Sequence, residues 1–266
     1  MHFFRPGRLL LFVLFLCAST SAQQPTSTTV TTSDPQAVAL LQESVSAFGS
    51  LPPLDSRANG NVTITAGSLT TQGAVTILTK GTAETSIQFQ MSNSTWSVIY
   101  SNGQANRVES GTATVLPLEL AASSQCLYFP LPYLAGLLGN PNVVLSFVGQ
   151  EAIDSTTANH IRVQNTFASS PAFQSLAEFN TADVWLDATT ALPVRISMIR
   201  RYAGGASPKI PVSVVYSNYQ VVSGVRCPFS IQEYVTQTLW ATTTIDSVSF
   251  NTGLTDANFP VTQEGN

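Results

Sequence analysis

The stretch from Trp185 to Phe259 limits the fold more than any other part of the chain. It reads W-L-D-A-T-T-A-L-P-V-R-I, then Y-S-N-Y-Q-V-V-S-G-V-R-C-P-F-S-I, then V-S-F-N-T-G-L-T-D-A-N-F. Short β-branched and aromatic runs are punctuated by an Asp/Thr turn at Asp187–Thr190, a Ser223-Gly224 hairpin and a Gly253 turn, which is the pattern of a strand meander. The same period of two occurs earlier. Val62 and Ile64 alternate with Thr63 and Thr65, and Val75 and Ile77 follow. Ile87, Phe89 and Met91 alternate with Ser86, Gln88 and Gln90, and Trp96, Val98 and Tyr100 lead into Asn102-Gly103. Successive side chains on a strand point to opposite faces, so strict alternation means one dry face and one wet face, as in antiparallel sheets. Further strands are expected at Val143–Val148, Ile161–Val163, Val184–Leu186, Pro193–Arg201, Val212–Tyr216, Tyr219–Val222, Phe229–Thr236, Leu239–Ile245 and Val248–Phe250. The expected class is α+β: about ten strands in one strongly curved antiparallel sheet, a half-open β-barrel covered by an N-terminal helix and short helices.

The covering elements break the period. In PQAVALLQESVSAFGS, Val38, Leu41, Val45 and Phe48 recur at helical spacing; Asp34 caps, Pro35 takes the first turn and Gly49 ends the helix. Its single apolar stripe has to pack on another element. Between Gly111 and Asn140 the sequence is rich in Pro and large apolar groups, with Leu127–Leu138 (LYFPLPYLAGLL) at its centre. Proline bars one long helix here, so the expectation is one or two short helices and a loop lying on the sheet. A short helix is also expected around Phe173–Phe179, and a turn at Gly204-Gly205.

The N-terminus has the order of an export signal: basic Arg5 and Arg8, an apolar run Leu9–Cys17, then small residues up to Ala22. That run is too short to span a bilayer. Lipidation at Cys17 is disfavoured because Leu16, a large residue, precedes it. The reading is a signal peptide over 1–22 cleaved after Ala22, a disordered Ser/Thr-rich leader over 23–33 and a single domain over 34–262, located in the periplasm or secreted. No later apolar run is long enough for a transmembrane span. Charged residues make up only 10% of the chain, so Ser, Thr, Asn and Gln must supply the wet faces. With Arg5 and Arg8 removed, nine basic residues face fifteen acidic ones, which disfavours nucleic acid and anionic membrane surfaces as partners.

Two cysteines follow the cleavage point, Cys126 and Cys227. In an oxidising compartment an even pair bridges, which would stabilise the fold by about 4–5 kcal/mol in the chain-entropy model. The alternative is two buried thiols that never meet, since spacing alone does not bring their Cα atoms within reach.

Catalytic motifs are missing. The mature chain has one histidine, His160, and lacks G-x-S-x-G, P-loop, G-x-G-x-x-G, H-E-x-x-H and C-x-x-C patterns. His160 falls on the wet face of its strand with Arg162 and Gln164, and is expected at the surface. Asp183 and Asp187 are four apart but on a strand ending in a turn, so they form no helical acid pair; Asp187 is expected to bond its own turn. Glu151 and Asp154 are read as hairpin residues, and Asp246 and Asp256 as solvated turn positions. No cofactor, metal or enzymatic activity is expected.

The order of elements over most of the mature chain resembles the LolA/LolB-like superfamily of periplasmic lipoprotein carriers: N-terminal helix, strand meander, helical cover, more strands. The local marks are a strand ending in Gly (Val75–Gly81), Ile-x-Phe (Ile87, Phe89), Trp96 to Gly103, and the C-terminal stretch quoted first. Lys80-Gly81 stands where the lipoprotein carrier tends to have a basic-Pro pair, which argues for a broader relative than a strict lipoprotein shuttle. The resemblance implies a non-catalytic carrier or sensor of a lipid, acyl chain or lipoprotein. Its cavity would be lined by Ile87, Phe89, Met91, Trp96, Val98 and Leu134. The alternative is an envelope protein–protein interaction module whose concave face is filled by its own helix and the Leu127–Leu138 segment. Burial contributes roughly 25 cal/mol per Å² in either case, so both stay open at the level of sequence.

Overall fold

The computed structural model describes residues 32–49, 53–116, 127–166, 181–200 and 209–261. The signal segment, the leader, Cys126, the helix expected at 173–179 and the Gly204-Gly205 turn lie outside these residues.

A meander of six strands runs outward from β1: β1 (Asp55–Ala66), β2 (Leu69–Lys80), β3 (Glu84–Met91), β4 (Thr95–Ser101), β5 (Gln104–Glu109) and β6 (Thr112–Val115). A second meander runs inward: β7 (Val143–Ile153), β8 (Thr156–Asn165), β9 (Ala182–Asp187), β10 (Pro193–Arg200), β11 (Ile210–Val222), β12 (Val225–Val235) and β13 (Thr238–Phe250). They join at an antiparallel β1–β13 pair, giving one open sheet in the order β6-β5-β4-β3-β2-β1-β13-β12-β11-β10-β9-β8-β7. Thirteen strands exceed the expected ten or so. β5 (QANRVE) and β6 (TATV) carry too few large apolar residues for alternation to reveal them. Conversely, Val212–Tyr216 and Tyr219–Val222 are one strand, β11, carried through Asn218 at a positive φ of 53°. Likewise Leu239–Ile245 and Val248–Phe250 are both parts of β13, whose register with β1 shifts at Asn59/Gly60. Gly60 is required there, since a Cβ would lie 2.1 Å from the Thr244 carbonyl oxygen.

This topology decides where the cover goes. The chain leaves the sheet at edge strand β6 and re-enters at the opposite edge, β7, so a connection over residues 116–142 joins the two edges. The apolar segment lies on that connection: Leu127–Phe129 leads into helix α2 (Pro130–Leu137), started by Pro130 at its first turn. Pro130, Leu131, Leu134 and Leu137 are buried.

Helix α1 (Pro35–Ala47) follows the expected pattern, with Asp34 Oδ1 accepting from the Gln36 amide at 2.8 Å. Its buried stripe is Ala37, Leu41, Ser44 and Phe48, flanked by half-buried Val38 and Val45. At its far end Arg226 donates to the carbonyls of Ala47 and Phe48. Gly49, at φ 112°, ends the helix where a Cβ would meet the Gly224 carbonyl at 2.1 Å. At its near end the same cap residue guards the sheet edge. The Asp34 amide donates to the Leu145 carbonyl, while Ser33 Oγ and Asp34 Oδ2 accept from the amides of Leu145 and Phe147. An open edge strand is a template for unwanted pairing, and these bonds occupy part of it.

Candidate functional site on the concave face

The pairing register places one row of side chains across the dry face. Reading inward from edge strand β7, Phe147 pairs with Ile161, Ile161 with Val184, Val184 with Ile196 and Ile196 with Val214. The row continues through Glu233, Ala241 and Ile64. Ile161, Val184 and Ile196 are each 0% exposed. In the outer meander, Ile87 and Phe89 pair with Ile77 and Val75 on one side and with Val98 and Trp96 on the other, so all six share a face.

Of the residues read from sequence as a cavity lining, Ile87, Phe89, Trp96 and Val98 share this face, and Phe89, Met91 and Leu134 belong to one buried cluster against which Ile87 and Trp96 pack. Phe89, Met91 and Leu134 are buried, and Ile87, Trp96 and Val98 are half-buried. Phe89 stacks on Trp96 with ring centroids 4.1 Å apart, and the Arg107 guanidinium lies 5.1 Å over the indole. Tyr128 meets Phe89 edge-on, and Phe129 packs between Phe48 of α1 and Phe250 of β13. Two polar contacts pin the cover. The Tyr216 hydroxyl donates to the Leu127 carbonyl at 2.6 Å, and the Tyr128 hydroxyl donates to Glu233 at 3.2 Å. An interior cavity beside Ser56, Ile77, Tyr128, Phe129 and Cys227 measures about 20 Å³, room for about one water.

Cys227 is a free, buried thiol; Cys126, its expected partner, lies outside the described residues. The Cys227 side chain packs in the core with Phe229 and Ile231, and burial pushes the thiol up to about 12.

Sequence reasoning missed the most unusual group on this face. Cys227, Phe229, Ile231 and Glu233 occupy alternate positions of β12 and are all buried, Glu233 at 5% exposure. On β10 the buried series Ile196 and Met198 ends in Arg200. Arg200 Nη1 donates to Glu233 Oε1 at 2.7 Å, so an ion pair interrupts a face whose other buried polar groups, such as Thr243 and Ser56, are uncharged. The signal was present in the sequence, since the alternation that puts Ile231 inside also puts Glu233 inside.

On the opposite, outer face, His160 departs from expectation. It does lie on that face, paired with Trp185, but is only 5% exposed. Its ring stacks on Trp185 at 4.4 Å. Nδ1 faces Glu151 and Nε2 faces Asp183, both at 2.7 Å, and both bonds form together only when the ring carries two N–H groups. Trp185 donates to Glu151, and Arg162 to Asp183. Hydrogen bonds from His160 and Trp185 hold the Glu151 carboxyl below its usual range. Every member of this network is tied to another. It is a cross-strand clasp over β7, β8 and β9.

Four other aspartates hold local structure. Asp187 accepts from the amides of Thr189 and Thr190, the expected turn. Asp246 lies within β13 rather than in a turn and accepts from Asn61. Asp256 opens a short 3-10 turn (Asp256–Asn258) and pairs with Lys80, which also pairs with Glu84. Asp55 is 5% exposed and accepts from the Thr252 amide and hydroxyl and from the amides of Gly253 and Leu254. Burial pulls its carboxyl up, but those bonds outweigh it and leave it below the usual range. Among the described residues no group of His, Cys, Asp and Glu is arranged to hold a metal ion. No described helix is long and apolar enough to cross a membrane.

Solved structures share this architecture. A LolA superfamily protein from Nitrosomonas europaea superposes with a TM-score of 0.56 at 13% identity, over 85% of this chain and 97% of that one. A putative outer membrane lipoprotein-sorting protein domain from Vibrio parahaemolyticus gives 0.54 at 12% identity, over 84% and 96%. A DUF1329 family protein from Desulfovibrio piger gives 0.55 at 11%, over 84% and 97%. No family model matches the chain, and no curated protein is similar to it. The fold is LolA-like, and at these identities the likeness carries the fold alone.

Proposed function

We propose that this chain is an exported, non-catalytic carrier or sensor of a lipid, acyl chain or lipoprotein, bound between the concave face and its cover. The observation behind this reading is the dry face itself. Its apolar rows run across an open-edged sheet, and the segment crossing them is a Pro-interrupted connection rather than another sheet. Ile87, Phe89, Met91, Trp96, Val98 and Leu134 are the proposed lining. One likeness of fold is to a protein described as a lipoprotein-sorting domain. The signal-like N-terminus agrees with a site of action in the periplasm or outside the cell. On this reading the small cavity belongs to a closed state, and an acyl chain displaces Leu127–Phe129 and α2. Displacement is plausible in energy, because side chains that leave the sheet are replaced by methylenes worth about 0.8 kcal/mol each on burial.

One observation favours a second reading. The cover already fills the space it faces, with Leu131 at 1% and Leu134 at 0% exposure. An envelope interaction module with a filled core and no small ligand has this appearance. Mass spectrometry of lipids carried by the exported chain, native against solvent-extracted, separates the two. Stoichiometric acyl lipid that is lost in Phe89→Asp protein of unchanged circular dichroism supports the carrier. Well-folded protein free of lipid refutes it in favour of the interaction module.

A further inference from the structure

The Arg200–Glu233 pair suggests the kind of acyl ligand. An apolar face built only to hold hydrocarbon has no use for a desolvated ion pair, which costs several kcal/mol per ion before the Coulomb attraction repays it. Glu233 is satisfied, with one oxygen accepting from Arg200 and the other from the Tyr128 hydroxyl of the cover. Arg200 is not. Its Nε is buried and has no hydrogen-bond partner, although the side chain as a whole is 29% exposed. Around them, Met198 and Val212 are paired and buried, and Tyr128 connects the cluster to Phe89.

Two facts then select the ligand chemistry. The cluster carries no net charge, because Glu233 already neutralises Arg200. One strong donor remains without an acceptor. A free carboxylate entering here would bring a second anion beside the Glu233 carboxylate inside a poorly solvated site, where like charges repel strongly. A neutral acceptor meets no such penalty and satisfies the orphan donor. We infer that Arg200 is the specificity-determining residue of the concave site, seating the carbonyl oxygen of an uncharged acyl ester on its Nε while Glu233 excludes fatty-acid anions. The assignment rests on the carrier reading above. When Tyr128 moves with the cover, Glu233 keeps its bond to Arg200 Nη1, so the guanidinium stays held by the sheet rather than by the lid.

The test uses the mature chain, stripped of lipid, with N-phenyl-1-naphthylamine as a neutral fluorescent probe. Three twelve-carbon competitors are compared: monolauroylglycerol, its ether analogue 1-O-dodecylglycerol, which lacks the carbonyl, and laurate. A hydrogen bond to a charged donor is worth enough for about a tenfold difference in affinity. The expected result is ester over ether by about tenfold, with laurate weaker than the ester. Arg200→Met brings ester and ether to within about twofold. Glu233→Gln, which keeps the shape and the Tyr128 contact, tightens laurate by about tenfold because the guanidinium is no longer neutralised. Equal binding of ester and ether by the unmutated chain overturns the inference, as does laurate binding tighter than the ester. Failure of all three to displace the probe overturns the carrier reading itself. Should Arg200→Met fail to fold, the Glu233→Gln arm and the ester–ether comparison still decide.

Discussion

Removing either member of the Arg200–Glu233 pair should have very different effects on stability. In Arg200→Leu, Glu233 keeps a side chain only 6% exposed and a single hydrogen bond from Tyr128 at 3.2 Å. An uncompensated buried charge of this kind costs about 3–5 kcal/mol. In Glu233→Leu the surviving charge sits on Arg200, whose side chain is 29% exposed and flexible enough to carry the guanidinium toward water. The lost charge-assisted bond, about 1.5–3 kcal/mol, is offset by burying leucine in a row already lined by Val214 and Ala241, worth about 1.5–3 kcal/mol. The expected net is within about 1 kcal/mol of the unmutated chain. The double variant removes both charges and should also lie near the unmutated value, so the coupling energy is at least about 2 kcal/mol. Urea unfolding of the four proteins at neutral pH measures this directly, provided the m-values agree. Equal losses in the two single variants with an additive double would mean that Glu233 is well solvated, and the desolvation argument would be refuted.

Three further outcomes follow from the packing. Asp55→Asn leaves one oxygen where two accepted four bonds, and should cost about 2–3 kcal/mol, read as a lowered urea midpoint. Because its folded pKa is depressed, Asp55 contributes stability that is present above the unfolded carboxylate range and lost as pH falls through the folded value. The gap between variant and parent should therefore shrink below about pH 4, and a gap unchanged down to pH 2 would contradict the assignment. Glu151 works in the same direction, so His160→Gln, which removes its strongest partner, should raise the Glu151 titration midpoint followed by carboxyl carbon NMR; an unmoved midpoint would show that the clasp does not hold in solution. Cys227, with its thiol pushed up to about 12, should resist Ellman's reagent at pH 8 in the native chain and react once unfolded in urea. Rapid native labelling at Cys227 would show that the concave face is open to solvent.

Much of this molecule can be read from local pattern. Alternation around Ile87, Phe89, Met91, Trp96 and Val98 was enough to put them on one dry face, because the strand period is a property of the backbone. Asp34, Pro35 and Gly49 marked the ends of α1 because capping depends only on adjacent residues. The turns at Asp187–Thr190, Asn102-Gly103 and Ser223-Gly224 were legible for the same reason. β5 and β6 were not, since short polar strands owe their pairing to the neighbour they extend.

Local pattern thus carries as far as a dry-faced antiparallel meander with a helix that needed something to cover. Tertiary structure decided what shares a row. The pairing of β10 through β13 put Glu233 between Val214 and Ala241, and carried Arg200 across β11 to reach it. It likewise buried His160 between Glu151 and Asp183, residues 9 and 23 positions away in the chain. Side-chain period is a local quantity and survives in a one-dimensional reading. Burial and ion pairing depend on which strands are adjacent and on what covers them, and they appear only once the strands have paired and the cover has packed.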